Sequence, residues 1–141
     1  MELGEAQQEL RAFIEKAGMP AGCTLLGLSA LPTDHPLNKG MLGMHGNLGP
    51  NINTNKCDVL IAVGMRFDDR VTGKLETYAK QAKIIHFDID PAEIDKNVKT
   101  MLLSWAIAKR HWLPLPNCWN PPTIRNGLTV SGNTRKWKRK R

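Results

Sequence analysis

Acid is missing from one end of this chain. Between Met101 and Arg141 there is no Asp or Glu, although nine Lys and Arg stand there. Residues 1–100 carry eleven basic and thirteen acidic side chains, so the formal charge of +7 joins a mildly acidic body to a strongly basic tail. A break this abrupt divides the chain into two segments, 1–100 and 101–141. Aromatics are scarce, at 6%, and all four tryptophans (Trp105, Trp112, Trp119, Trp137) lie in the second segment. There are three cysteines, Cys23, Cys57 and Cys118, without metal-ligand spacing. An odd number so placed points to reduced thiols in a cytoplasm-like setting, not to a disulfide framework or a zinc site. No apolar run is long enough to span a bilayer. The opening Met1-Glu2-Leu3-Gly4-Glu5 has neither the basic nor the apolar region of a signal peptide. Metal clusters, Walker-type loops and nucleophile–base pairs are also missing. What is left is 141 residues at 41% hydrophobic, the size of one domain.

Apolar spacing gives the elements. Leu10, Phe13, Ile14 and Ala17 recur at helical period within residues 5–18, and Gly18-Met19-Pro20 ends that helix. Residues 22–28 read as a short buried strand running into a loop. Residues 31–56 hold many Gly and Pro and read as a long irregular stretch with a helical turn near Asn51. Residues 58–64, continuously apolar, are the clearest strand and suit a parallel sheet covered on both faces. A helix over 72–80 and a strand over 83–89 follow. Asp90-Pro91 then reads as an N-cap with Pro at the first helical position. Strand–helix alternation predicts an open α/β sheet. Residues 113–134 show no sustained period of either kind.

Ligand-binding chemistry gathers where strands end. Gly64-Met65-Arg66-Phe67-Asp68-Asp69-Arg70 puts a glycine at a strand's carboxyl end, where a ligand can approach the backbone. Its two arginines offer forked donors suited to a pyrophosphate. The same run also suits a solvated, salt-bridged loop. Met41-Leu42-Gly43-Met44-His45-Gly46 offers tight turns, a soft apolar surface and a ring donor; taken alone it reads more simply as a packed loop. Asp88, ending a strand, is placed to accept from ribose hydroxyls, and Asp90 is explained by capping. Thr24-Leu25-Leu26-Gly27 supplies a hydroxyl and amides at another strand end. His35 and His86 have no partner identifiable by spacing, and His86 reads as a core or sheet-face histidine. Cys57 reads as a small buried hydrophobe.

In order, Thr24-Leu25-Leu26-Gly27-Leu28, Asp34-His35-Pro36-Leu37, Met41 to Gly46, Arg66-Phe67-Asp68-Asp69-Arg70-Val71-Thr72-Gly73-Lys74-Leu75 and Asp88-Ile89-Asp90-Pro91-Ala92-Glu93-Ile94 resemble the large subunit of the acetolactate synthase (acetohydroxyacid synthase) family of thiamine-diphosphate enzymes. The resemblance covers about residues 5–100. It implies a Rossmann-like three-layer α/β domain with a parallel sheet, the central domain of such an enzyme, truncated at both edges and followed by an irregular tail. It implies FAD contacts at Thr24, Leu25, Leu42, Gly43, Met44, His45, Gly64, Met65, Arg66, Phe67, Asp68, Asp88 and Ile89, and a channel toward the active site lined by Asp69 and Arg70. The parent enzymes condense pyruvate with pyruvate or 2-oxobutyrate in branched-chain amino-acid biosynthesis. They use thiamine diphosphate and Mg2+ held by other domains, and assemble as homodimers or tetramers with a regulatory subunit. The family's domain opens with a further strand and a glycine turn that this sequence does not show. The resemblance therefore implies an inactive fragment with uncovered strand edges.

The tail departs from the family. With suitable codons, residues from Met101 onward read one base over as Asp-Val-Ala-Val-Leu-Gly-Asp-Cys-Lys-Glu, the strand and loop the family has there. Out-of-frame translation is thus the expectation for residues 101–141. Two other readings are a stand-alone flavin- or nucleotide-binding module and a basic nucleic-acid-binding protein acting through the Lys/Arg-rich end with Trp137. The second is disfavoured, because nothing in the pattern aims that basic run; no specific nucleic-acid partner is expected.

Overall fold

The computed structural model describes residues 7–105 and 127–130. Helix α1 (Gln7–Ala17) buries Leu10, Phe13 and Ile14, the stripe set by helical period. Glu9 in its first turn and Lys16 in its last suit the helix dipole. Strand β1 (Ala21–Cys23) is wholly buried and runs into a single 3-10 turn at Leu25–Gly27. The stretch expected to be irregular contains two elements, strand β2 (Asn38–Met41) and helix α2 (Leu48–Thr54). Its Gly and Pro residues punctuate these elements. Pro50 lies in the first turn of α2, where its missing N–H costs nothing.

Strand β3 (Val59–Val63) is the spine of the molecule. Leu60 and Ala62 point into one apolar cluster, Ile61 and Val63 into another. Period-two alternation thus buries both faces, which is why the sequence run is continuously apolar. One cluster holds Leu42, Met65, Phe67, Tyr78 and Ile84; the other packs α1 through Leu10, Phe13 and Ile14. Strand β4 (Lys83–Asp88) runs parallel to β3, with Val59 opposite Lys83 and Val63 opposite Phe87.

The helix expected over 72–80 is replaced by one turn of helix, α3 (Asp69–Thr72), and a series of turns. Asp68 caps α3 by accepting from the Val71 amide. Gly73, at φ 60°, ends it in a conformation other residues adopt only at a cost. Beyond β4, Asp90 accepts from the Ala92 amide as a cap should, but the helix it starts is a 3-10 turn at Pro91–Glu93.

The sheet is six-stranded, and every pairing in it is parallel, with order β2-β1-β6-β3-β4-β5. Strand β5 (Leu102–Trp105) forms one edge beside β4. Strand β6 (Gly127–Val130) lies in the middle, between β1 and β3. The class is α/β with a parallel, Rossmann-like sheet, as the alternation of elements predicts. The aperiodic stretch 113–134 nevertheless supplies β6. Gly-Leu-Thr-Val is too short to show a period, and its partners are distant in sequence.

Candidate functional site

Because the sheet is parallel, β1, β2, β3 and β4 all end on one edge. Cys23 stands opposite Met41, and Val63 opposite Phe87. Open parallel sheets bind ligands at that edge. The residues singled out in the sequence follow these ends directly: Thr24 and Leu25 after β1, Leu42 to His45 after β2, Gly64 to Asp68 after β3, and Asp88 with Ile89 closing β4.

Two of these loops are locked together. The Met44 amide donates to the Arg70 carbonyl at 2.7 Å. Asn51, on α2, holds Gly43 from both sides: the Gly43 amide donates to Asn51 Oδ1 at 2.9 Å, and Asn51 Nδ2 donates to the Gly43 carbonyl at 3.0 Å. Gly43 has φ 98°, and a Cβ there would come within 2.8 Å of the Arg70 oxygen. At Gly46 a Cβ would come within 2.2 Å of the Met41 oxygen. Both glycines are demanded by close backbone approach, not by a flexible hinge.

Exposure sorts the implied contact residues. Leu25, Met44, His45, Gly64, Arg66 and Ile89 are exposed, as are Asp69 and Arg70. Met44 is 66% exposed and Leu25 68%, and an apolar surface of this kind at a strand edge suits a flat ring. Leu42, Gly43, Met65 and Phe67 are buried, and the side chains of Leu42, Met65 and Phe67 belong to the core. Any contact from Leu42, Met65 or Phe67 must run through the backbone. Thr24 is partly buried. Asp68 engages both oxygens, accepting from the Val71 amide at 3.2 Å and pairing with Arg66 at 3.6 Å. It thus orients one arginine while capping α3.

His86 is fully buried, the core histidine its place in an apolar strand implied. Its Nε2 lies 3.0 Å from the Met65 carbonyl, which can only accept, so Nε2 carries the proton. Its ring stands edge-on to Phe67, with centroids 5.0 Å apart. Asp88 Oδ2 lies 3.6 Å from the same nitrogen. Burial pushes the Asp88 carboxyl up, but His86 and the Asp90 and Ile89 amides outweigh it and hold it below the ordinary carboxylate range. A carboxylate that stays ionised suits a hydroxyl-accepting role. His35 also finds a partner that spacing did not reveal. Its Nδ1 accepts from the Leu37 amide, so Nε2 donates to Glu15, 3.0 Å away. Cys23 and Cys57 are free thiols, both pushed up to about 12 by burial and therefore inert. Cys118 lies outside the described residues.

Sequence reasoning missed Asn51 and Asn97. The latter donates to the Phe67 carbonyl at 2.7 Å and so ties down the Arg66–Arg70 loop. A Pro-Asn pair opening a short helix inside a glycine-rich stretch was the available signal for Asn51. For Asn97, thirty residues from its partner, there was none.

A parallel sheet with its loops gathered at the carboxyl edge defines an open α/β class. The chain belongs to the thiamine pyrophosphate enzyme central-domain family, whose model matches residues 1–110. Within that class it is similar to acetolactate synthases. It is 57% identical over 90 residues to acetolactate synthase 1, chloroplastic, of Zea mays, covering 64% of this chain and 14% of the maize protein. It is 55% identical over 94 residues to the acetolactate synthase isozyme 2 large subunit of Escherichia coli, covering 67% of this chain and 17% of that protein. It is 53% identical over 94 residues, 67% of this chain and 16% of the relative, to a probable acetolactate synthase large subunit of Methanocaldococcus jannaschii. The chain thus spans about a sixth of the length of these curated relatives.

Proposed function

We propose that residues 7–100 are the flavin-holding part of an acetolactate synthase large subunit, and that the chain by itself does not condense 2-oxo acids. The supporting observation is the backbone lock between the Met41–Asn47 and Asp68–Arg70 loops, formed at the sheet's ligand edge beside an exposed arginine and exposed apolar side chains. The donor set fits FAD. Arg66 would meet the pyrophosphate, Leu25, Met44 and Ile89 the flat ring system, and Asp88 or Thr24 a hydroxyl. FAD would act there as a held group, and these residues would bind and orient it. Asp69 and Arg70, both exposed, would border the passage toward the reacting centre. Thiamine diphosphate and Mg2+ would be held by other parts of the parent enzyme, a homodimer or tetramer with a regulatory subunit. The parent's reaction joins pyruvate to pyruvate or 2-oxobutyrate, a transferase step of branched-chain amino-acid biosynthesis. The inert free thiols Cys23 and Cys57 suit a reducing compartment such as the cytoplasm.

Titration of the purified chain with FAD, followed by flavin fluorescence, should saturate. Arg66→Ala should weaken binding at least about tenfold, the loss of a charge-assisted contact. Failure of the chain to take up FAD in a saturable way would sink this reading. Residues 101–141 we read as out-of-frame translation. The coding DNA around codon 100 tests that, because a family-like frame one base away must be open.

A further inference from the structure

One peptide unit at the ligand edge is fixed at both of its polar ends. The Gly43 carbonyl accepts from Asn51 Nδ2 at 3.0 Å and from the Gly46 amide at 3.0 Å. The Met44 amide, the other end of that unit, donates to the Arg70 carbonyl at 2.7 Å. One unit earlier, the Gly43 amide donates to Asn51 Oδ1 at 2.9 Å. Asn51 therefore meets Gly43 as one peptide meets another, donating and accepting at once. Only one orientation of its amide allows this, because the Gly43 N–H can only donate and its C=O can only accept. A carboxylate of the same shape would satisfy the first bond and set oxygen against oxygen at the second.

The clasp has a firm base. Asn51 stands in α2, and Asn55, four residues on, donates from its side chain to the Asn51 carbonyl at 3.1 Å. The Asn55 side chain also accepts from the Ala79 amide at 2.9 Å, and Gln81 donates to the Asn55 and Cys57 carbonyls at 2.9 and 2.7 Å. Pro50 and Thr54 of the same helix are buried. The loop it holds has no such base. Leu42 belongs to the core, but the next two side chains after Gly43 stand outside it, with Met44 and His45 both exposed. Gly43, at φ 98°, lets the chain turn there without imposing a shape on it. Hydrogen bonds, not packing, therefore set where Met44 and His45 stand.

We infer that Asn51 is a positioning residue for the flavin: through the Gly43 peptide it fixes where Met44 and His45 meet the bound group. The inference rests on the flavin reading above. Asn51 does not need to touch the cofactor, since both polar atoms of its side chain are engaged with Gly43. It acts through a peptide whose far end is bonded to Arg70, so the same clasp ties the ring-facing side chains to the border of the passage. A contact surface held this way keeps its geometry before the ligand arrives, and loosening its support weakens binding without removing any contact residue.

The full chain is compared with Asn51→Leu, close in size but without donor or acceptor, and with Asn51→Asp. Before FAD is added, amide exchange reads the clasp. In the unaltered protein the Gly43 and Met44 amides should be protected at least roughly 100-fold relative to unstructured chain. Asn51→Leu should lose at least about tenfold of that protection while the interior amides of α1 keep theirs. Unprotected amides in the unaltered protein, or equal protection in the variant, would overturn the inference. With FAD, both variants should bind at least about fivefold more weakly than the unaltered protein at about pH 8. Asn51→Asp alone should recover at least about twofold of its loss by about pH 5.5, and its Gly43 and Met44 protection should rise in step. The introduced carboxyl, facing a carbonyl, is pushed up, and once protonated it donates to the Gly43 oxygen while still accepting from the Gly43 amide. This acid recovery keeps the test open if Asn51→Leu does not fold. His45, Lys56, Asp68, Asp69 and Arg70, the charged or titratable groups of the adjoining segments, are common to all three proteins, so each affinity is taken relative to the unaltered chain at the same pH. Unchanged FAD affinity in the variants, or a loss in Asn51→Asp that acid does not relieve, would also overturn it. No FAD uptake by the unaltered chain would instead sink the flavin reading and the cofactor role of Asn51 with it, whereas the exchange rates judge the clasp by themselves.

Discussion

At Gly46 the backbone turns so tightly that no side chain has room beside the Met41 carbonyl. Gly46→Ala should therefore cost on the order of 3 kcal/mol, with loss of the Met44–Arg70 link as well. A chemical-denaturation midpoint measures the cost, and an unshifted midpoint would mean that the loop has another conformation available. The glycines of this loop were legible in the sequence as turn-formers, but the reason for them was not. It lies in Arg70 and Met41, one distant along the chain and the other contributing only its backbone. Asn51 was hidden in the same way, because a side-chain amide clasping a peptide unit leaves no periodic trace. His86 was legible as a core residue because an apolar strand surrounds it; its partner at Met65 was not.

Elements show the opposite balance. Helix α1 and strands β3 and β4 were readable almost to their ends, because each buries a face whose period the sequence repeats. Phe13 sits on that face and is 2% exposed, against a cluster that includes Ile61 and Val63. Phe13→Ala should cost about 3–5 kcal/mol and lower the thermal midpoint accordingly. A loss below about 1 kcal/mol, within surface-site behaviour, would mean that α1 does not dock on the sheet. Apart from β1, whose three buried residues were read as a short strand, elements below about five residues escaped the sequence. Strand β2, helix α3 and strand β6 are specified by partners, since three or four residues cannot show a period of their own.

Taken whole, the molecule carries several carboxylates held below their ordinary range. Asp88 is one; Asp95 is held down by the Thr100 amide and hydroxyl, and Glu15 by Arg11 and His35. A carboxyl with a lowered folded value binds its proton more weakly folded than unfolded. Its contribution to stability is fully present above the unfolded value and fades as pH falls through the folded one. For Asp88 that window opens at its ordinary 3.8 and extends downward. Urea midpoints should be flat from neutral pH to about 5 and fall below about 4. Asp88→Asn should be less stable at neutral pH yet fall less steeply in acid; an acid limb as steep as that of the unaltered protein would remove Asp88 from the account. The carboxyl-edge placement of the loops after β1, β3 and β4 was legible from α/β alternation alone, but that of Met41–Gly46 was not, because β2 lay in a stretch read as irregular.

A ribosome meets the central position of β6 as a problem of timing. When Trp105 has been made, the segments of both flanks have been synthesised but the strand of their shared seam has not, and another 25 residues must be added before Val130. At ordinary elongation rates of about 5–20 residues per second, the nascent chain waits about one to five seconds with its interior ladder open. During that interval the continuously apolar strand β3 would be the edge for a holding chaperone to cover.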